Sequence, residues 1–118
     1  TWLATRPEVA RVLHPALAGS PGHEHWRAHC TGAAGLFSVL LPARYRTDQV
    51  NAFVDALRLF RIGYSWAGPM SLVVPYDLAG MRDQPRGLKG HLVRFSVGLE
   101  AAQDLQDDLA QALGLALA

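Results

Sequence analysis

Residues 92–100 read LVRFSVGLE, and this stretch decides how the chain folds. Side chains on a β-strand point alternately to its two faces, so every second residue shares an environment. One face of this segment is apolar and is predicted to lie in the core: Val93, Phe95 and Val97. The opposite face carries Leu92, Arg94 and Ser96. We therefore predict a strand over 92–98 with one face in the core and the other against a cleft or another layer.

The remaining segments supply further strands and two amphipathic helices. Runs of strand-forming residues bounded by turn residues predict four more strands, at 9–13, 35–42, 62–66 and 71–75. A helix is predicted over 48–59, capped by Thr47, with apolar residues at helical spacing: Val50, Phe53, Val54 and Leu57. A second helix begins at Glu100, with its leucines inward and its aspartates outward: Leu105, Leu109, Leu113, Asp104, Asp107 and Asp108.

The predicted elements follow the order strand, loop, strand, helix, strand, strand, strand, helix. Residues 16–35 are mostly loop, with one or two helical turns in HEHWRAHC at 23–30, and residues 76–90 form an exposed loop with one helical turn. Short connections favour an antiparallel or mixed sheet. The predicted fold class is α/β: a single small domain over 1–118 with a mostly antiparallel sheet of four to five strands, covered by helices on one face.

Composition excludes several classes of protein. The 118 residues are 50% apolar and 18% charged with a formal net charge of +1, which favours a folded protein over a disordered one. The arginines are scattered singly, so nucleic-acid binding is not expected. No apolar run approaches the roughly 20 residues that cross a bilayer, and no signal-peptide pattern is present. A single cysteine, Cys30, fits a cytoplasmic setting.

The first residues indicate that the chain begins inside a longer structure. Residues 1–5 are typical of the last turn of a helix, and Pro7 disfavours helix at the residue before it. We therefore expect further protein before Thr1.

Two groups of residues suggest chemistry but favour a plain structural role. His23, Glu24, His25 and His29 include histidines at helical i, i+4 spacing, but the order is not HExxH and no further ligand completes a zinc site. A surface segment in which Trp26 packs is the favoured interpretation, with no metal. Lys89 is the only lysine that could form a Schiff base, and its glycine-flanked setting predicts an ordinary exposed loop lysine.

Arg94 is the strongest candidate for a binding residue. A guanidinium in an apolar strand is costly to bury without an anionic partner. The partner is either an Asp or Glu of the same chain or the carboxylate of a ligand, which the planar guanidinium matches in a bidentate way. From the residues alone, both interpretations stay open.

The segment Tyr64-Ser65-Trp66 precedes a turn at 67–70 that could offer N–H groups and the Ser65 hydroxyl to an anion. Core packing of Tyr64 and Trp66 is the favoured alternative.

Taken together, five segments resemble the small C-terminal domain of the Cys/Met-metabolism family of pyridoxal-phosphate enzymes, and most closely its cystathionine β-lyase branch. They are RPEVARVLHPAL at 6–17, GHEHW at 22–26, TGAAGLFSVLL at 31–41, LFRIGYSWAGPMSL at 59–72 and LVRFSVGLE at 92–100. Several motifs in the right order and spacing are far more specific than any one of them.

The resemblance implies that Arg94 holds the α-carboxylate of an amino-acid substrate, with Ser65 and the backbone at Trp66 beside it and Tyr64 adjoining. It also implies that the catalytic lysine and the groups that hold pyridoxal 5'-phosphate lie in a large preceding domain, which is the missing partner of this one. No catalytic or cofactor-binding residue is then expected here, and the chain alone is expected neither to bind the cofactor tightly nor to catalyse. Relatives form homotetramers, mainly through the missing part.

The implied reaction cleaves cystathionine to homocysteine, pyruvate and ammonia in methionine synthesis. In the family an aromatic at the Trp66 position is typical of β-lyases. The family often has Gly-Gly-x-Glu-Ser just after it, and Met70 replaces the glutamate here, which weakens the assignment of a substrate. The alternatives are a γ-acting relative, such as cystathionine γ-synthase or methionine γ-lyase, and a non-catalytic module that binds amino acids through Arg94.

Overall fold

The computed structural model describes residues 1–81 and 88–118, and it contains the predicted elements in the predicted order. The strands are β1 Arg11–Leu13, β2 Leu36–Leu41, β3 Arg61–Ile62, β4 Leu72–Tyr76 and β5 His91–Ser96. The helices are α1 His23–His29, α2 Thr47–Ala56, α3 Leu78–Met81 and α4 Ala102–Ala116, preceded by a 3-10 turn at Trp2–Thr5. The predicted helical turns in 23–30 and 76–90 are present, and residues 82–87 of the second loop lie outside the described residues.

The sheet has β5 at its centre. The order of the five strands is β1-β2-β5-β4-β3. Neighbouring strands run antiparallel except for β3, which pairs with β4 in parallel. This arrangement confirms the predicted mostly antiparallel sheet. Arg94 lies opposite Ser38 on one side and Val74 on the other, so it occupies the middle of the sheet.

Helices α2 and α4 cover one face of the sheet and close the core against it. The sheet contributes Val39, Leu41, Val73, Val93 and Phe95; α2 contributes Val50, Phe53 and Val54; α4 contributes Leu105, Leu109 and Leu113. Phe95 lies among three other phenylalanine rings, stacked on Phe37 at 5.4 Å and edge-on to Phe53 and Phe60 at 6.5 and 5.2 Å between centroids. The strand alternation predicted for 92–98 is therefore confirmed. In the described ranges no helix is both long and apolar enough to cross a bilayer.

Helix α2 ends at Ala56, three residues earlier than predicted, and Asp108 binds the backbone that follows it. Its carboxylate accepts the N–H groups of Arg58 and Leu59, each at 2.8 Å, and that of Phe60 at 3.4 Å. These donors turn toward α4 instead of continuing the helix. Asp108 is only 5% exposed, so the prediction that it faces outward is wrong. A buried carboxylate must be hydrogen-bonded, and three backbone amides meet that requirement.

Two smaller predictions are also wrong. Thr47 is the first helical residue rather than the cap: the N-cap is Arg46, whose N–H is accepted by Gln49 Oε1 at 3.0 Å. The strand predicted at 62–66 is limited to Arg61–Ile62. Its last ladder bond runs from Gly63 N–H to Val73 O, after which the chain leaves the edge and passes over β5.

We expect Asp108→Asn to lower the free energy of unfolding by about 2 kcal/mol, because an amide offers one acceptor oxygen and turns an NH₂ group toward buried donors. Urea denaturation of the 118-residue chain measures it. Asp107→Asn, one residue away on the exposed side of α4, is the control and should change the free energy by less than about 0.5 kcal/mol. Equal effects of the two substitutions would contradict the capping role.

Candidate functional site

Arg94 projects from the face of β5 that lies away from α2 and α4. Its Nη2 donates to the backbone oxygen of Tyr64 and, at 3.4 Å, to that of Ser65. The guanidinium carbon also lies 5.9 Å from the centre of the Tyr76 ring. All of these partners are electrically neutral. These contacts therefore orient the guanidinium without neutralising its positive charge.

The alternative of an ion pair within the chain is not found in the described part of it. Across residues 1–81 and 88–118, the salt bridges are Arg6–Glu8, Arg46–Asp48 and the His25–Glu24 contact, and none involves Arg94. Over the same ranges, hydrogen bonds from Arg94 arise at Nη2 alone. A guanidinium in this state can receive a carboxylate on two N–H groups at once.

The residues before the turn share this surface with Arg94. Tyr64 is 75% exposed, Trp66 is 60% exposed, and Ser65 is exposed as well. The prediction that Tyr64 and Trp66 pack in the core is wrong. The chain crosses β5 here with its carbonyl groups toward Arg94, which leaves the side chains in solvent. We call Tyr64, Ser65, Trp66 and Arg94 together the Arg94 surface.

The turn after Trp66 is anchored to the end of β5. Ala67 adopts a left-handed backbone (φ 60°), and its N–H donates to Ser96 Oγ at 3.1 Å. Pro69 O accepts the N–H of Leu99 at 2.8 Å. A Cβ on Gly98 would lie 2.3 Å from Pro69 O, so the two segments approach closely only because residue 98 is glycine.

A carboxylate completes this anchoring. Glu100 Oε1 accepts the N–H of Ser71 at 2.8 Å, and Oε2 accepts its hydroxyl at 2.7 Å. The Ser71 oxygen in turn accepts the N–H of Gly98 at 2.8 Å. The hydrogen bond from the Ser71 backbone is the main cause that lowers the pKa of Glu100, and burial opposes it.

The sequence did not reveal this network. Alternation placed Ser96 on the same face as Arg94, but Ser71 and Glu100 are 29 residues apart, the first just before β4 and the second shortly before α4. The one available signal was the pair of small residues Ser71 and Gly98, which mark a close approach of two backbones.

The other candidate residues lie away from the Arg94 surface. The Nδ1–H of His23 donates to Pro15 O at 2.7 Å, and the His23 ring stacks on Trp26 at 5.6 Å between ring centres. Within the described residues, no three of the His, Cys, Asp and Glu side chains come together as metal ligands. Lys89 is exposed two residues before β5 and five residues before Arg94, which is roughly 16 Å along an extended chain.

Comparison with known proteins places this geometry in a family. The model of the family described as "Cys/Met metabolism PLP-dependent enzyme" matches residues 1–114. The chain is 44% identical over 115 residues to a cystathionine beta-lyase of Salmonella typhimurium, covering 92% of this chain and 29% of that protein. It is 43% identical over 112 residues to the cystathionine beta-lyase of Escherichia coli, covering 92% of this chain and 28% of that protein.

A solved structure agrees with the sequence matches. The cystathionine gamma synthase of Xanthomonas oryzae pv. oryzae, in complex with aminoacrylate and cysteine, superimposes with a TM-score of 0.81 at 32% identity, over 98% of this chain and 31% of that one. The fold is thus one found in pyridoxal-phosphate-dependent enzymes that act on sulfur amino acids. The chain belongs to the Cys/Met-metabolism family of these enzymes, and it spans less than a third of the length of the relatives that it matches.

Pyridoxal phosphate is the cofactor of the family, but the described residues around Arg94 do not form a site for it. The cofactor needs a lysine amine, a carboxylate for its ring nitrogen and donors for its phosphate. Lys89 is remote from Arg94, and Glu100 is already occupied by Ser71. The Arg94 surface is suited to a carboxylate rather than to the cofactor.

The lowered pKa of Glu100 means that its ionised form stabilises the folded state. This contribution is complete above the pKa of Glu100 in the unfolded chain and is lost as pH falls through the lower pKa of the folded state. We expect Ser71→Ala to raise the pKa of Glu100 toward its ordinary range, because one of its hydrogen bonds is lost. Carboxyl-carbon NMR titration measures the change, with exposed Glu24 of the same sample as internal reference. An unaltered Glu100 titration in the variant would contradict the assignment.

Proposed function

We propose that this chain is the substrate-carboxylate-binding domain of a pyridoxal-phosphate-dependent carbon–sulfur lyase of the cystathionine β-lyase type. One observation carries the proposal: the Arg94 guanidinium is held by the neutral carbonyls of Tyr64 and Ser65 beside an exposed surface. The charge is oriented and is left for a ligand to neutralise.

Electrostatics favours a carboxylate as that ligand. A charge-assisted hydrogen bond contributes about 1.5–3 kcal/mol, and a carboxylate forms two of them with one guanidinium. The site offers further donors in the Ser65 hydroxyl and the Trp66 N–H, for which the described chain provides no acceptor. An amino acid bound through its α-carboxylate at Arg94 would be fixed at that end, with Tyr64 and Trp66 flanking the rest of the molecule.

The reaction proposed for the whole enzyme is cleavage of the Cβ–S bond of cystathionine, with uptake of water, to homocysteine, pyruvate and ammonia. Two observations support it: the relatives described above are cystathionine beta-lyases, and Trp66 supplies the aromatic residue that the β-lyase branch has at this position. Bound pyridoxal phosphate supplies the electron sink for such chemistry. The rest of the enzyme would hold it. A role in methionine synthesis, a homotetrameric parent and a cytoplasmic setting complete the proposal, and exposed, unpaired Cys30 agrees with the last.

A γ-acting enzyme is the second candidate, and two observations favour it. The solved structure with a TM-score of 0.81 is a cystathionine gamma synthase. Met70 also stands where the family often has glutamate, so this turn departs from the usual pattern.

In the full-length enzyme that contains this chain, we expect Arg94→Ala to lower kcat/KM for cystathionine by roughly a hundredfold. Losing two charge-assisted hydrogen bonds removes about 3 kcal/mol of binding, and each 1.36 kcal/mol is a factor of ten. Steady-state kinetics measures it, with Arg27→Ala on exposed helix α1 as the matched control. An unchanged kcat/KM would contradict the role of Arg94. The keto acid released by the wild-type enzyme separates the two candidates, since β-cleavage gives pyruvate and γ-cleavage gives 2-oxobutyrate.

The 118-residue chain by itself is expected to lack cofactor binding and activity. Lys89 is exposed, with no described neighbour placed to hold the cofactor, so added pyridoxal phosphate should give no saturable absorbance band and no pyruvate should form from cystathionine. Calorimetry with amino acids on the same sample tests the third alternative. A non-catalytic binding module would retain affinity for free amino acids, whereas half of an active site would not.

A further inference from the structure

We propose that Glu100 is a positioning residue for Arg94: through Ser71 and Gly98 it fixes the turn whose carbonyl groups aim the guanidinium. The inference rests on the proposed function, because it assigns Glu100 a part in substrate binding. Glu100 contacts neither Arg94 nor the exposed Arg94 surface in the described structure; its hydrogen-bond partner is Ser71. Its effect on substrate would be transmitted entirely through the backbone.

The direction of the guanidinium depends on the turn rather than on β5. Arginine has a long flexible side chain, so a fixed Cα leaves its charged end free to move. Here the end is restrained by the oxygens of Tyr64 and Ser65, which belong to a different segment. A displacement of that segment would therefore displace the guanidinium, even with β5 itself unchanged.

The turn has little support of its own. Residues 64–70 are all exposed, contain no helix or strand and include the left-handed Ala67. Such a segment keeps one position only if it is tied down at defined points. In the described residues it is tied by hydrogen bonds from Ala67 to Ser96 and between Pro69 and Leu99. Where it rejoins the sheet, Ser71 is bonded to Glu100, Gly98 and Arg61.

The hydrogen bond to Glu100 differs from those at Ala67 and Pro69 because it involves a hydroxyl with two roles. The Ser71 hydroxyl donates its proton to Glu100 Oε2 and uses a lone pair to accept the N–H of Gly98. A neutral or absent partner at residue 100 would release this hydroxyl, and the Gly98 contact would weaken with it. Ser71 is fully buried, so water cannot replace the lost partner easily.

The position of this tie links it to the site. Leu72, the residue after Ser71, is paired with Ser96, and Ser96 lies two residues from Arg94 on the same face of β5. Glu100, together with the N–H of Arg61, thus binds Ser71 at the point where the turn rejoins the sheet, beside the strand that bears Arg94. Active-site groups tolerate displacements of only about half an ångström, so supporting contacts of this kind have measurable effects on binding.

The test compares two competitive inhibitors of the full-length enzyme that differ only in the carboxylate: L-alanine and ethylamine. For Glu100→Gln we expect the inhibition constant of L-alanine to rise on the order of tenfold while that of ethylamine stays constant. The matched control is Asp108→Asn, which also weakens a carboxylate that accepts backbone amides, but on the helical side of the sheet. It should leave the ratio of the two constants unchanged.

Arg94→Ala separates failure of this inference from failure of the proposed function. If Arg94→Ala abolishes the preference for L-alanine and Glu100→Gln preserves it, the positioning role is overturned and the carboxylate site stands. If Arg94→Ala preserves the preference, both are overturned. Should Glu100→Gln not fold, Ser71→Ala removes only the hydroxyl link and should shift the same ratio in the same direction; a ratio equal to wild type would overturn the role.

Discussion

The organising constraint of this structure is a positive charge placed at the middle of an apolar strand. Arg94 sits between Val93 and Phe95, which are buried, on the central strand of the sheet. A carboxylate of the same chain would hydrogen-bond the guanidinium and would also neutralise its charge. Backbone oxygens hydrogen-bond the guanidinium without neutralising its charge. The passage of residues 64–70 over β5, and the ties that hold this passage, follow from that requirement.

The two faces of β5 have different roles: one packs in the core, and the other makes polar contacts with the turn. On one face Phe95 packs among Phe37, Phe53 and Phe60, which anchors the strand that bears Arg94 in the core. On the other face the polar contacts of Ser96 and Arg94 reach across to the turn. Packing therefore positions the backbone of Arg94, and hydrogen bonds orient its guanidinium.

The sequence was sufficient for the elements whose signals are local. Alternation identified β5 and the side of it that holds Arg94, and helical spacing identified α2 and α4. It was not sufficient where the environment of a residue is determined by contacts with a distant segment. Asp108 has the spacing of an exposed helical residue, but its carboxylate accepts the backbone amides at 58–60. Hydrophobic periodicity cannot predict a contact between two segments that are so far apart in sequence. Tyr64 and Trp66 are aromatic residues of the kind that usually pack in a core, yet both side chains are exposed. The contact that Tyr64 makes with Arg94 is through its backbone oxygen. The pairing of Ser71 with Glu100 was hidden for the same reason.

The choice of main-chain oxygens as the partners of Arg94 has a consequence for how such a domain can diversify. A carbonyl group is present whatever side chain a residue carries, so residues 64 and 65 can exchange their side chains while the arginine keeps its anchorage. The direction of the Arg94 guanidinium thus depends on the course of the backbone at residues 64 and 65 rather than on the identity of their side chains. A substitution of Tyr64 would therefore change the exposed surface beside Arg94 while leaving the carbonyl group that orients the guanidinium in place.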